Sequence, residues 1–208
     1  MQSYDKSVFI NCPIDNKYRP LFYASVFTII RCGLNARSAE EESDSSEIRL
    51  FKIYRMIDEC KYGIHDLSMT SIDKKTHFPR FNMPFELGIF LAAKHFGENH
   101  QTKNCLVFEN KNHSYEKYIS DIKGQDISSH GNKTKNIIIK IRDWLRANTK
   151  SASLPGGNSI WNDYQQFEIE LPQLCSSLSL EFAELTFLDY AHLVYKWLET
   201  HYPDINLL

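Results

Sequence analysis

The chain has 208 residues, 42% hydrophobic and 24% charged, with a formal net charge of −2. That length allows one domain, or one domain with an appendage, and a core of real size. The near-neutral charge argues against general nucleic-acid binding, which needs a basic stripe. The five cysteines are odd in number and form no CxxC pair, so they argue against a disulfide framework or a metal centre and read as reduced thiols.

The N-terminal segment shows no basic region followed by a long apolar stretch, and no window reaches 18 apolar residues. The expectation is a cytoplasmic protein without a signal peptide or membrane span.

The first element in chain order is the apolar run Val8-Phe9-Ile10, stopped at Asn11-Cys12-Pro13, which reads as a buried strand. Lys17 to Arg31 carries Leu21, Val26, Ile29 and Ile30 at mixed helical spacing, with Gly33 as the stop. Leu34 to Ala36 reads as a second strand, and the acidic, serine-rich Ala39 to Ser46 as a loop. Ile48, Phe51, Ile53, Met56 and Ile57 mark a second helix ending near Cys60. Tyr62 to Asp66 is a third strand, in which His65 reads as a core residue. Thr70 to Arg80 is polar and turn-rich. Pro84 to Phe96 reads as a helix with proline near its start and Gly97 beyond its end. Cys105 to Phe108 is a fourth strand.

This alternation predicts an α/β fold, a flavodoxin-like doubly wound parallel sheet. Ligands in such sheets bind at the carboxyl ends of the strands.

The rest of the chain changes character. Asp121 to Gly131 is polar and reads either as a lid carrying His130 or as a plain surface loop. Ile137 to Leu145 reads as a helix or a strand. Ser151 to Gly157 is a linker by composition, and Trp161 to Leu178 and Phe187 to His201 read as helices. The expected division is an α/β domain over residues 1–150 and a C-terminal helical extension over 151–208, packed on that domain or on a second subunit.

The most informative stretch surrounds Glu86. A carboxylate on the inward stripe of a helix, with Ile89, Phe90 and Ala93 one turn on, is costly unless it is paired or used. The two readings are a capping carboxylate in the first turn and a reacting group. Asn82 reads as the N-cap or as a site residue. Asp66, with Ser68 two residues on, closes the third strand and either opens a turn or faces the ligand crevice. Asn11 and Asp15 follow the first strand, as a simple turn or as ligand contacts. Arg37 follows the second strand, as a phosphate contact or a surface ion pair.

A strand ending in Asp66-Leu67-Ser68, a variable loop, then an Asn82/Pro84-flanked Glu86-Leu87-Gly88 helix closing with Lys94, resembles the nucleoside 2-deoxyribosyltransferases and the related bacterial TIR-like nucleotide-binding domains. The opening Val8 to Pro13 and the helix end Ile57 to Tyr62 sit where those families place their first strand and the helix before the aspartate strand. The resemblance covers residues 6–108. It implies N-glycosidic bond cleavage on NAD, a nucleotide or a nucleoside, with Glu86 as nucleophile or stabiliser of the anomeric carbon. It implies that Asp66 holds the ribose or assists proton transfer, and that Asn82 orients the sugar or Glu86. Asn11, Asp15, Arg37, Ser68 and Arg80 complete the substrate-binding candidates. The family's tight Asp/Gly/Thr segment before the glutamate is replaced here by Arg80 to Pro84, which sets hydrolysis beside transfer. No cofactor or metal is expected, NAD or the nucleotide being substrate or ligand. The setting implied is bacterial anti-phage defence, with a homodimer or a defence protein as partner. A non-catalytic nucleotide sensor is the alternative.

Overall fold

A computed structural model describes residues 3–69, 79–111, 115–149 and 154–203. Five strands form one parallel sheet: β1 (Ser7–Asn11), β2 (Asn35–Ser38), β3 (Tyr62–Asp66), β4 (Asn104–Glu109) and β5 (Ser128–Ser129), in the order β2-β1-β3-β4-β5. Every residue of β1 and β3 is buried, as expected where helices cover both faces of a sheet. The fold is the flavodoxin-like doubly wound α/β sheet.

Alternation along the strands sorts side chains between two faces. Val8 and Ile10 of β1 and Tyr62 and Ile64 of β3 join the core beneath α1 (Arg19–Arg31) and α4 (Thr134–Asn148). Phe9 faces the opposite way. It packs with Ile53, Met56 and Ile57 of α2 (Arg49–Glu59) and Phe90 of α3 (Asn82–Phe96).

The mixed apolar spacing of the first helix has a physical cause. Eleven of its 13 residues, Leu21 to Arg31, are buried, because α1 lies between the sheet and a further layer. That layer is α5 (Gly157–Ser177) and α6 (Phe187–His201). Tyr23 of α1 stacks on Tyr190 of α6 at 3.8 Å between ring centroids. The Arg31 guanidinium pairs with Asp163 of α5 at 2.8 Å and lies 4.0 Å from the Tyr202 ring centroid. The extension therefore packs on the sheet domain and shares its core. Thr186 and Asp189 start α6 with a reciprocal capping box.

Gly33 ends α1 as its sequence position suggested. At φ +75° its N–H reaches the Ile30 carbonyl, and the Leu34 N–H reaches Ile29, which is a Schellman closure.

Several element boundaries differ from the sequence reading. The first helix starts at Arg19, two residues later, after Asp15 accepts the N–H groups of Lys17 and Tyr18 in a side-chain turn. Residues 137–145 are helical, within α4. α5 begins at Gly157, inside the expected linker. The polar segment around Ser128 supplies β5, a two-residue strand too short and too polar to announce itself. Residues 70–78 of the turn-rich segment and 151–153 of the linker lie outside the described residues. Among the described residues no helix is long and apolar enough to cross a membrane.

Candidate functional site

Asn82 is the first residue of α3, and Phe81 is the N-cap, with no side-chain capping bond. Asn82 is therefore not the cap. Glu86 is the fifth helical residue, beyond the third position from which a glutamate reaches back to a cap. The capping reading of Glu86 fails on this geometry. Asn82 and Glu86, four apart, share one face of α3.

That face borders a cleft of about 190 Å³ at the carboxyl end of β1, lined by Asn11, Cys12, Arg49, Arg80, Asn82 and Glu86 among others. Glu86 is 9% exposed. Among the described residues no group hydrogen-bonds its carboxyl. Burial pushes its pKa up to about 7, opposed by the positive charge of Arg49. A carboxyl with this titration can give or take a proton near neutrality.

Asn11 is fixed beside it. One side-chain amide donates both to His65 Nδ1 and to the Met83 carbonyl, each at 2.9 Å. This ties β1, β3 and the first turn of α3 together. His65 is fully buried, edge-on to the rings of Phe9 and Phe90. Its Nε2 has no partner among the described residues, and burial lowers its pKa to about 3, so the ring is neutral. Gly63 makes room for it. A Cβ there would come within 2.7 Å of His65 Nε2 and 2.8 Å of Phe90 Cε2. His65 is thus the core residue its sequence position implied.

Asp66 is placed elsewhere. It follows the parity of Tyr62 and Ile64 and falls on the α1 face of β3, opposite to His65 and Glu86. It is fully buried and does not line the Glu86 cleft. One carboxylate oxygen accepts from Tyr18 Oη at 2.7 Å and lies 3.0 Å from His130 Nε2, and the other accepts from the Ser68 N–H at 2.8 Å. Burial alone would raise its pKa, but these donors outweigh it and hold Asp66 below the ordinary carboxylate range. Asp66 is therefore not one of the residues that border the Glu86 cleft.

His130, which the sequence placed in a loop or lid, is fully buried directly after β5. Its Nδ1 accepts the Asn132 N–H at 2.9 Å, which leaves Nε2 as the ring nitrogen that donates. That nitrogen also lies 2.9 Å from Ser68 Oγ. Asp66 and Ser68 share the same ring nitrogen, one that donates. The cluster is therefore not a relay that removes a proton from Ser68.

The other candidates separate in the same way. Arg37 is paired, with Nε on Glu41 at 2.7 and 2.9 Å and Nη2 on Glu59 at 3.0 Å, and it does not line the cleft. The ion-pair reading holds for it. Asp15 spends one oxygen on its turn and pairs through the other with Arg80 at 3.1 Å. Ser68 lines a different cavity, on the α1 face. The cleft therefore brings together Glu86, Asn82, Asn11 and Arg80, with Asp15 behind Arg80. It does not include Asp66, Arg37 or Ser68.

Arg49 is the cleft residue that sequence reasoning missed. It is the first residue of α2. The available signal was topological, because the helix after β2 starts at the carboxyl edge of the sheet, where a basic first residue faces the crevice. Cys12 also lines the cleft. Burial, together with the Asp66 and Glu86 charges, drives its thiol well above the usual range, so it is not a thiolate nucleophile. Among the described residues no group of three or more His, Cys, Asp or Glu is disposed to hold a metal ion.

Comparison with protein-family models, with curated proteins and with solved structures found no match for this chain.

Proposed function

We propose that the Glu86 cleft binds a nucleotide or nucleoside and that the protein cleaves its N-glycosidic bond. The observation that carries this reading is a buried carboxyl without a hydrogen-bond partner among the described residues, titrating near 7, at the carboxyl end of a doubly wound sheet between Arg49 and Arg80. The resemblance of Asn82 to Lys94 to the nucleoside 2-deoxyribosyltransferase helix supports the same chemistry.

In this reading Arg49 and Arg80 attract the phosphate or the sugar hydroxyls, and Asn82 and Asn11 orient the sugar. As the bond from the anomeric carbon to the base breaks, its electron pair leaves with the base and positive charge develops on the sugar. Ionised Glu86 stabilises that charge in a site shielded from water. Water then bonds to the anomeric carbon, and its proton passes to Glu86. The positive charge that develops on the sugar lowers the Glu86 pKa, so bond breaking itself favours the ionised form.

A second reading is a nucleotide-binding module without turnover. It is favoured by the placement of Asp66, the carboxylate expected to hold the ribose, inside a closed hydrogen-bond cluster on the other face.

Incubation with NAD, nucleosides and nucleoside monophosphates, followed by chromatography of the products, separates the two. Release of free base from any of them supports cleavage. Ligand-induced thermal stabilisation without released base supports the binding module.

A further inference from the structure

A second cavity, of about 680 Å³, opens between the first turns of α1 and α4, on the sheet face away from Glu86. Its volume lies within the range of about 300–1,000 Å³ usual for small-molecule sites. Lys17, Lys133 and Lys135 line it, with Ser68, Asn110 and Trp161, and no carboxylate does among the described residues.

The chain carries 26 acidic residues against 24 lysines and arginines, so a wall of three amines with no acid departs from its average surface. Several cations elsewhere are neutralised by carboxylates. Arg31 pairs with Asp163, Arg37 with Glu41, Arg55 with Glu42, Lys61 with Asp5, and Arg80 with Asp15. Among the described residues, Lys17, Lys133 and Lys135 form no ion pair. Three like charges around one concavity repel one another and focus a positive potential into it. A multivalent anion discharges that repulsion, and a single carboxylate is too small to engage all three amines.

We propose that this cavity binds the di- or triphosphate chain of a small phosphorylated molecule. The three ammonium groups take the phosphate oxygens, and Ser68 and Asn110 supply neutral polar contacts. Trp161 stands at the wall, 6.0 Å from the Lys135 ammonium to its ring centroid. It therefore reports on whatever enters. The site does not depend on the chemistry at Glu86, since none of the three lysines lines that cleft.

The test is titration of the full chain with tripolyphosphate and with ATP, followed by tryptophan fluorescence and by calorimetry, at low and high salt. Saturable binding of both probes is expected, weakening with salt. The Lys133→Gln/Lys135→Gln double variant is expected to bind each probe about tenfold more weakly or worse, since charge-assisted hydrogen bonds to phosphate are lost. Trp161→Phe should bind with the fluorescence change abolished, and Glu86→Gln should bind tripolyphosphate unchanged. No saturable heat from either probe with wild type would overturn the proposal. So would equal affinity in a double lysine variant whose circular dichroism matches wild type. Neither result bears on whether the Glu86 cleft cleaves a glycosidic bond.

Discussion

Arg49 and Glu86 meet from different helices across one cleft, and the charge of Arg49 is the influence that opposes burial in setting how the Glu86 carboxyl titrates. Neither residue is paired with the other by a hydrogen bond, so the coupling acts through space. Removing the cation should raise the Glu86 pKa above about 7. Arg49→Gln is expected to move the Glu86 carboxyl titration, followed by carbon NMR, to higher pH. An unmoved titration would mean that Arg49 is too well solvated to act on Glu86.

Glu86 is held at a cost to stability. Its folded pKa, about 7, exceeds its ordinary value of 4.5, so the folded state binds the proton more tightly than the unfolded state. The associated stability is complete below pH 4.5 and is lost as pH rises through 7. The full difference is about 3 kcal/mol, at about 1.4 kcal/mol per pKa unit. Glu86→Gln removes this dependence. The variant should be more stable than wild type above pH 7, with the advantage shrinking toward pH 4.5, as read by chemical denaturation at several pH values. A variant less stable at all pH values would mean that Glu86 serves the fold and not the cleft.

His65 acts with the opposite sign. Its folded pKa, about 3, lies below its ordinary 6.5, so below pH 6.5 the unfolded chain takes up a proton that the folded chain refuses. Its contribution is intact above pH 6.5 and declines by roughly 1.4 kcal/mol per pH unit toward pH 3. His65→Phe keeps the ring contacts with Phe9 and Phe90 but loses the bond from Asn11. It is expected to lower stability at neutral pH while flattening the acid slope. An unchanged slope would show that another group carries the acid sensitivity.

The sheet was readable from the sequence because β1 and β4 carry apolar runs and the helices fall between the strands. β5 was not, since Ser128 and Ser129 carry no hydrophobic pattern and owe their strand to pairing with Phe108 and Glu109. The Glu86 helix was legible through the one carboxylate on its apolar stripe. Asp66 opens a turn by accepting the Ser68 N–H, one of its two sequence readings, and the crevice reading overlooked a pattern that the sequence also contains. Residues 62, 64 and 66 share one face of β3, and Tyr62 and Ile64 pack under α1, so Asp66 must as well. Its partner His130 was out of reach, because a long stretch of chain and a short polar strand separate the two. The choice between phosphate contact and ion pair stayed open for Arg37, because its partners Glu41 and Glu59 could not be named before the fold was known.

The Asp66 cluster should behave as a structural unit. Both members of the Asp66–His130 pair are fully buried. Removing His130 takes one donor from the buried Asp66 carboxylate, which costs about 1–3 kcal/mol. His130→Ala is expected to lower the melting temperature sharply, and the Asp66→Asn/His130→Ala double variant to recover part of the loss. A loss in the double variant equal to the sum of the two single losses would show that the pair is not coupled.

The measurement that bears most directly on the central claim compares wild type with Glu86→Gln for release of free base from NAD, nucleosides and nucleoside monophosphates. The account predicts release by wild type and a fall of about 10²–10⁴-fold in the variant, with its fold intact by circular dichroism. Equal base release by Glu86→Gln would contradict it and place the chemistry outside the Glu86 cleft.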